Sequence, residues 1–318
     1  MIGRRELRLV ALIAILLVVV GLINPVFLSI ANVRDILVRA APLLIIACGM
    51  TFVVLIGEID ISVGSLMGFL AAVLGTITSS DHLHLPTAVG IAAIMLIGMA
   101  IGSVNGLLVT VGKVPSIIVT LGMLTLLTGA TQIVMAGHWI TNLPRTLRYF
   151  GVGSILGLPV CIVIATMVFV VCAFIARQTP YGLRIYASGD NPGAAKTFGL
   201  KVNWLRWSVF ALTGLLTAVA TLVSAPQLSV IESGFGQGSE LTVVTAVVVG
   251  GTSIRGGKGT ILGTFLAVLL ICMIRPILTF LRLGESATYW EKAIQGSLIL
   301  GAVLLDQLGR PRGKAAIA

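Results

Sequence analysis

Apolar runs long enough to cross a bilayer recur along the whole chain, separated by short polar or glycine-rich breaks. They fall near residues 7–23, 41–56, 62–79, 87–111, 116–136, 156–176, 207–225, 241–253, 260–280 and 289–305. About 20 apolar residues of helix span the ~30 Å hydrocarbon layer. The pattern therefore predicts an all-α polytopic membrane protein of about ten transmembrane helices, some of them broken or half-helices. The runs at 62–79 and 241–253 are short or interrupted by glycine, and these are the expected half-helices.

Composition agrees with that pattern. Hydrophobic residues make up 57% of the 318 positions and charged residues 10%, against about 25% charged in a soluble domain. Residues 1–318 read as one transmembrane domain. The N-terminal Met1–Arg8 is basic and precedes an apolar run, but Asn24-Pro25-Val26-Phe27 offers no small-residue cleavage site, so a retained first span is expected. Cys48, Cys161, Cys172 and Cys272 lie in apolar runs and read as small buried hydrophobes. No metal-ligand spacing is found among Cys and His.

Charge sets an expected orientation. Ten crossings starting in the cytoplasm also end there. On that scheme Arg4, Arg5, Arg8, Lys113, Arg177, Arg184, Lys196, Lys201, Arg206, Arg255, Lys258, Arg310, Arg312 and Lys314 lie inside. Arg34, Arg39, Arg145, Arg148, Arg275, Arg282 and Lys292 lie outside. The inward bias of Lys and Arg places both termini in the cytoplasm. The net charge of +10 is then a topology signal. With no single basic patch, it is not a nucleic-acid footprint.

Three breaks carry candidate chemistry. The first is Gly57-Glu58-Ile59-Asp60-Ile61-Ser62-Val63-Gly64-Ser65. Carboxylates between membrane runs face protein or a water-filled path, and the flanking Gly and Ser suggest a broken helix lining a cavity. The second is the cytoplasmic segment 177–206, with Gly189-Asp190-Asn191-Pro192-Gly193-Ala194-Ala195 and Gly199. Asp190 or Asn191 is a helix cap with Pro192 at the first position, Ala194–Phe198 forms a short helix, and Gly199 ends it. Such a helix is a docking element or an ordinary loop helix. The third, Val247 to Gly263, loosely echoes the first, with valines running through glycine into a polar break and then a small-residue helix, which is either an internal repeat or a chance likeness of two glycine-rich segments. Gly98, Gly102 and Gly106, and Gly64 with Gly68, read first as helix-packing positions and second as pore lining.

Several activities are excluded by spacing. Gly256-Gly257-Lys258-Gly259-Thr260 is not a phosphate loop, since Thr252 stands where the first glycine belongs and Gly259 follows the lysine. No His-Glu-x-x-His motif exists, no span holds a histidine, and Asp60 has no intramembrane aspartate partner for a dyad. The chain is read as a transporter rather than an enzyme.

Taken together, the three breaks and the stretch Asn105-Gly106 followed by Lys113-Val114-Pro115-Ser116-Ile117-Ile118-Val119-Thr120-Leu121-Gly122 resemble, in order, the motifs of ribose-type sugar ABC transporter permeases. The resemblance covers most of the chain. It implies a permease of the bacterial inner membrane that works with a cytoplasmic ATPase subunit, a periplasmic solute-binding protein and a second permease copy or close relative. It implies a monosaccharide or sugar-like solute, in a family that includes carriers of ribose, other pentoses, galactose, rhamnose and autoinducer-2. ATP and magnesium would sit on the ATPase, with no cofactor on this chain. One departure stands out: Glu58 occupies a position where the family usually has glycine. Small polar groups suit a sugar path, which selects Glu58, Asp60, Ser62, Ser65, Asn105, Thr120 and Gln132. Asp60 either caps a helix starting near Ile61 or contacts solute. The coupling set is Gly189, Asp190, Asn191, Pro192, Ala194, Ala195 and Gly199. The rival reading is a secondary transporter using Glu58 and Asp60 as an ion site.

Overall fold

The computed structural model describes residues 3–282 and 286–308. Arg310, Arg312 and Lys314, used above for orientation, lie outside the described residues. Among the described residues, thirteen α-helices follow in order. They are α1 (Arg4–Ile23), α2 (Ile30–Leu55), α3 (Val63–Thr78), α4 (Thr87–Thr110), α5 (Ser116–Met135), α6 (Arg145–Val152), α7 (Val160–Gln178), α8 (Pro180–Asp190), α9 (Pro192–Thr197), α10 (Val202–Ser224), α11 (Ser239–Val249), α12 (Ile261–Phe280) and α13 (Ala287–Leu308). A small antiparallel hairpin of β1 (Ser154–Ile155) and β2 (Leu158–Pro159) sits between α6 and α7.

Among the described residues, seven helices are long and apolar enough to cross a membrane: α1, α2, α4, α5, α7, α10 and α12. Two apolar helices are too short, α3 with 16 residues and α11 with 11. These are the two segments whose glycine and polar breaks suggested half-helices. Helix α13 covers the tenth apolar run.

Helix α2 is the hub. It runs 26 residues, eleven earlier than the hydropathy pattern suggested. Arg34, Asp35, Arg39 and Pro42 interrupt the apolar run without breaking the helix, because neighbouring helices accommodate an intramembrane proline. From Ala40 to Ile56 nearly every side chain is buried. Helices α7, α10, α11 and α12 surround it. A polar contact joins α2 to α12 within that packing: the Thr51 hydroxyl donates to Ala47 O at 2.6 Å and meets Thr264 Oγ1 of α12 at 2.9 Å.

The most extensive helix pairing joins α4 to α10. It depends on the missing side chains of Gly98, Gly102 and Gly106. A Cβ at Gly98 would lie 2.6 Å from Gly214 O, and one at Gly106 would lie 2.9 Å from the Trp207 backbone. With no hydrophobic drive between helices in lipid, such close backbone approach supplies the attraction. Gly64 and Gly68 behave differently. They face the irregular segment before α11, with Gly236 O 2.8 Å and Phe235 O 2.5 Å from the respective Cβ positions.

Turns gather at two ends. One end collects the start of α1 and the turns after α2, α4, α7 and α11. The other collects the α3–α4 turn, α6, the hairpin and the segment after α10, where Ile140 and Ile231 exchange backbone hydrogen bonds at 3.1 and 2.9 Å. The expected charge bias assigns the first end to the cytoplasm.

Replacing Gly98 with valine should lower stability by about 1–3 kcal/mol through overpacking of α4 against α10. Gly129→Ala should not, since nothing lies within 4 Å of its Cβ position. Thermal unfolding of the two variants in detergent checks the contrast.

Candidate functional site

The breaks after α2 and α11 share one backbone geometry. At the end of α2, Gly57 N–H donates to Val54 O at 3.0 Å and Glu58 N–H to Val53 O at 3.0 Å. At the end of α11, Gly251 N–H donates to Val248 O at 2.9 Å and Thr252 N–H to Val247 O at 3.1 Å. Both are Schellman ends, in which a left-handed residue folds two N–H groups back onto the last turn. Gly57 has φ +83° and Gly251 φ +94°, which only glycine adopts without strain. The echo between the two sequence segments is therefore one structural motif used twice.

The two breaks also touch. Gly257 N–H donates to the Leu55 carbonyl at 2.8 Å. Gly189, near the end of α8, closes the same junction: a Cβ there would run into Leu55 O and lie 2.7 Å from Gly257 N. Tyr186 of α8 donates its hydroxyl to Gly259 O at 2.9 Å. Burial pushes the Tyr186 phenol above its ordinary range, against the pull of Arg177, so it keeps its proton. From the other side, Arg5 Nη1 donates to Gly251 O at 2.9 Å. Thr260, which caps α12, donates to Glu6 Oε1 at 2.8 Å. Three separate glycine-rich segments thus meet at one point.

Beyond the junction the cytoplasmic segment forms two helices. Asn191 caps α9 by accepting from Ala194 N–H at 3.0 Å, with Pro192 at the first position. Asp190 ends α8 instead of capping. The short helix begins two residues before the expected Ala194, and Gly199 follows it with φ +79°. Ala194 is half-buried and Ala195 buried. Leu183, Phe198 and Trp204 are exposed, Phe198 most of all at 85%. Their apolar exposure on this segment was not part of the sequence expectation. An isolated Phe before a helix-ending glycine carries no periodicity that would single it out.

The carboxylates of the first break part company. Asp60 is 2% exposed. Its Oδ1 accepts from Ser62 N–H at 2.9 Å and from Ser62 Oγ–H at 2.6 Å. Because that hydroxyl gives its proton to Asp60, its oxygen accepts from Asn105 Nδ2 at 3.0 Å. Asn105 Oδ1 is left buried without a partner. The expected cap of a helix near Ile61 is corrected: α3 starts at Val63, with Ser62 at the cap position, and Asp60 braces the turn before it. Glu58 points elsewhere, its Oε1 3.2 Å from Arg206 Nε in the first turns of α10. That contact is charge-to-charge without hydrogen-bond alignment, since Arg206 Nε has no hydrogen-bond partner.

The remaining candidates divide. Thr120 is buried and donates to Ser116 O at 2.9 Å, with Ile59 O at 3.5 Å. Ser65 lies on the wall between α3 and α5, where Gly68, Thr128, Thr131, Ser233, Phe235 and Gln237 join it around a cavity of about 10 Å³. Gln132 is exposed and does not line that cavity. Glu240, at the start of α11, was not anticipated. Its Oε1 accepts from Gly238 N–H at 3.1 Å, and its Oε2 is buried without a partner against Gly64. The signal was available in sequence: an acidic residue immediately ahead of a half-helix. At the opposite end, a cleft of about 410 Å³ lies between α2 and the hairpin region, lined by Arg34, Asp35 and Gln227 among others.

Asp60→Asn should keep the turn, because an amide oxygen still accepts both Ser62 donors. Asp60→Leu leaves Ser62 N–H buried without its acceptor and should cost about 2 kcal/mol. Thermal unfolding in detergent separates the two. A double-mutant cycle over Glu58 and Arg206 should give a coupling of about 0.5 kcal/mol, since the arginine is partly solvated.

Comparison with known proteins agrees with this architecture. Residues 32–303 match a family described as branched-chain amino acid transport system / permease component. The ribose import permease of Haemophilus influenzae is 38% identical over 305 residues, covering 95% of this chain and 93% of the relative. The ribose import permease of Bacillus subtilis is 37% identical over 92% of this chain and 90% of its own. The autoinducer 2 import system permease of Salmonella typhi is 32% identical over 96% of this chain and 86% of its own. No solved structure matches the chain. Coverage of nearly the full length on both sides places the chain, a multi-pass inner-membrane protein, in the transport-system permease family to which the ribose import permeases belong.

Proposed function

We propose that this chain is the membrane-spanning subunit of an ATP-driven importer, moving a monosaccharide or sugar-like solute from a periplasmic binding protein into the cytoplasm. ATP and magnesium bind a separate cytoplasmic ATPase, and this chain pairs with a second copy or a close relative. The observation that carries the reading is the α8–α9 segment. It presents exposed Leu183 and Phe198, with exposed Trp204 of α10 against its Tyr181, while its Gly189 packs on the junction of the two helix breaks. A surface of that kind suits a docked partner, with the aromatic residues as anchors. Motion delivered there reaches the starts of α3 and α12 through backbone contacts.

The solute class is supported by the relatives' names and by the α3–α5 wall. That wall carries hydroxyls and an amide but no Lys or Arg, which favours a neutral polyhydroxyl solute over a zwitterionic amino acid.

The test is a tagged pull-down from native membranes in mild detergent, followed by an ATPase assay. Co-purification of an ATPase whose activity depends on this chain is the expected result. An ATPase-free preparation that moves solute in liposomes under an ion gradient overturns the reading. Phe198→Asp should reduce the co-purifying ATPase about tenfold or more, as loss of an interface anchor does, while the chain stays monodisperse. Aspartate at both Ala194 and Ala195 is a poorer probe, because Ala195 is 5% exposed and a carboxylate there disturbs the fold itself.

A further inference from the structure

The carboxylate that the first break brings to mind, Asp60, is committed to Ser62. A different acidic group has an unused oxygen. Glu240 holds Gly238 N–H with Oε1, and its Oε2 lies buried and unpartnered against Gly64. Such a group in an apolar setting is costly unless something occupies it for part of the working cycle.

Its surroundings point to the occupant. The same glycine face of α3, Gly64 and Gly68, continues to the small cavity lined by Ser65, Thr128, Thr131, Ser233 and Gln237. The hydroxyls there have already donated within the protein: Ser65 to Ser62 O at 2.9 Å, Thr128 to Leu124 O at 2.8 Å and Thr131 to Leu127 O at 2.7 Å. What each keeps is oxygen lone pairs. The wall is therefore rich in acceptors, and Glu240, against Gly64 one helical turn along the same α3 face, adds a carboxylate beside it. A sugar is the complementary ligand, since every hydroxyl it carries both donates to these acceptors and accepts from the Gln237 amide, whereas an anion would be repelled by the Glu240 carboxylate.

The cavity of about 10 Å³ has room for about one water. What fills the rest is the segment ahead of α11. Its Phe235 and Gly236 carbonyl oxygens lie 2.5 and 2.8 Å from where Cβ atoms of Gly68 and Gly64 would be. We infer that Glu240, with the hydroxyls of Ser65, Thr128 and Thr131, forms a sugar-contact site of the translocation path, closed here by residues 233–238. This inference rests on the importer reading above.

The test uses the complete complex of this chain, ATPase and binding protein in proteoliposomes, with saturating binding protein. Uptake of D-ribose and its monodeoxy analogues is compared for wild type, Glu240→Gln and Thr131→Val, alongside ATPase activity. Glu240→Gln should lower ribose uptake about tenfold, the loss of one charge-assisted hydrogen bond, with ATPase activity unchanged. At least one deoxy analogue should be nearly insensitive to the substitution, because it lacks the hydroxyl that Glu240 receives. A merely structural role would lower every analogue by the same factor, and that result, or unchanged uptake of all of them, overturns the inference alone. A wild-type complex that moves none of these sugars overturns the sugar reading together with the inference. If Glu240→Gln fails to assemble, Thr131→Val, which keeps side-chain shape, carries the same comparison.

Discussion

A helix that stops inside a membrane must find partners for the backbone groups it frees. Here the carbonyl of Leu55, in the last turn of α2, receives Gly257 N–H at 2.8 Å from the break after α11. The rest of the molecule is arranged around that contact. It requires two Schellman ends to meet, which requires Gly57 and Gly251 in the left-handed region. It requires Gly189 to leave room where any side chain would strike Leu55 O. The result is a junction in which backbone packs on backbone at Gly189, Leu55 and Gly257, with the Tyr186 hydroxyl on Gly259 O beside it.

The carboxylates show why position along a break decides a residue's work. Glu58, Asp60 and Glu240 meet three different fates. Glu58 is drawn to Arg206 and ties the first break to α10. Asp60 is enclosed with Ser62 and Asn105 and holds the turn that aims α3. Glu240 retains an unused oxygen beside the glycine face of that helix. A glycine at position 58, as the resemblance leads one to expect, would remove the tie to Arg206 and leave the other two contacts in place. The ion pair is thus separate from the backbone contacts that form the junction.

Much of this was legible in the sequence. Hydropathy marked the crossing helices and the two short ones, because membrane length is a simple constraint. The cap at Asn191, with Pro192 after it and Gly199 at the far end, follows from local backbone chemistry and was readable as such. The echo between Val54–Gly57 and Val248–Gly251 was visible too, although its meaning needed the hydrogen bonds. What escaped was set by tertiary contact. The first turns of α2 carry Arg34, Asp35 and Arg39 and look like a loop until the helix is seen to pass through them. Gly64 and Gly68 look like helix-packing positions, yet they receive an irregular segment remote in sequence. Gln132 is polar in an apolar run, but it is exposed and does not join Thr128 and Thr131 around the cavity. Phe198 and Glu240 sit at element ends, where periodicity says nothing about direction.

The central claim is that the α8–α9 segment drives the broken helices through the packing of Gly189 on Leu55 and Gly257. Its most direct test is Gly189→Ala in the reconstituted complex, reading ATP hydrolysed per sugar imported, with Gly193→Ala as the control because its Cβ position meets only Asn191 Oδ1 at 3.4 Å. The account predicts that Gly189→Ala still binds the ATPase and hydrolyses ATP but imports far less sugar per ATP, while Gly193→Ala behaves as wild type. A wild-type ratio of sugar to ATP in a fully assembled Gly189→Ala complex would contradict it.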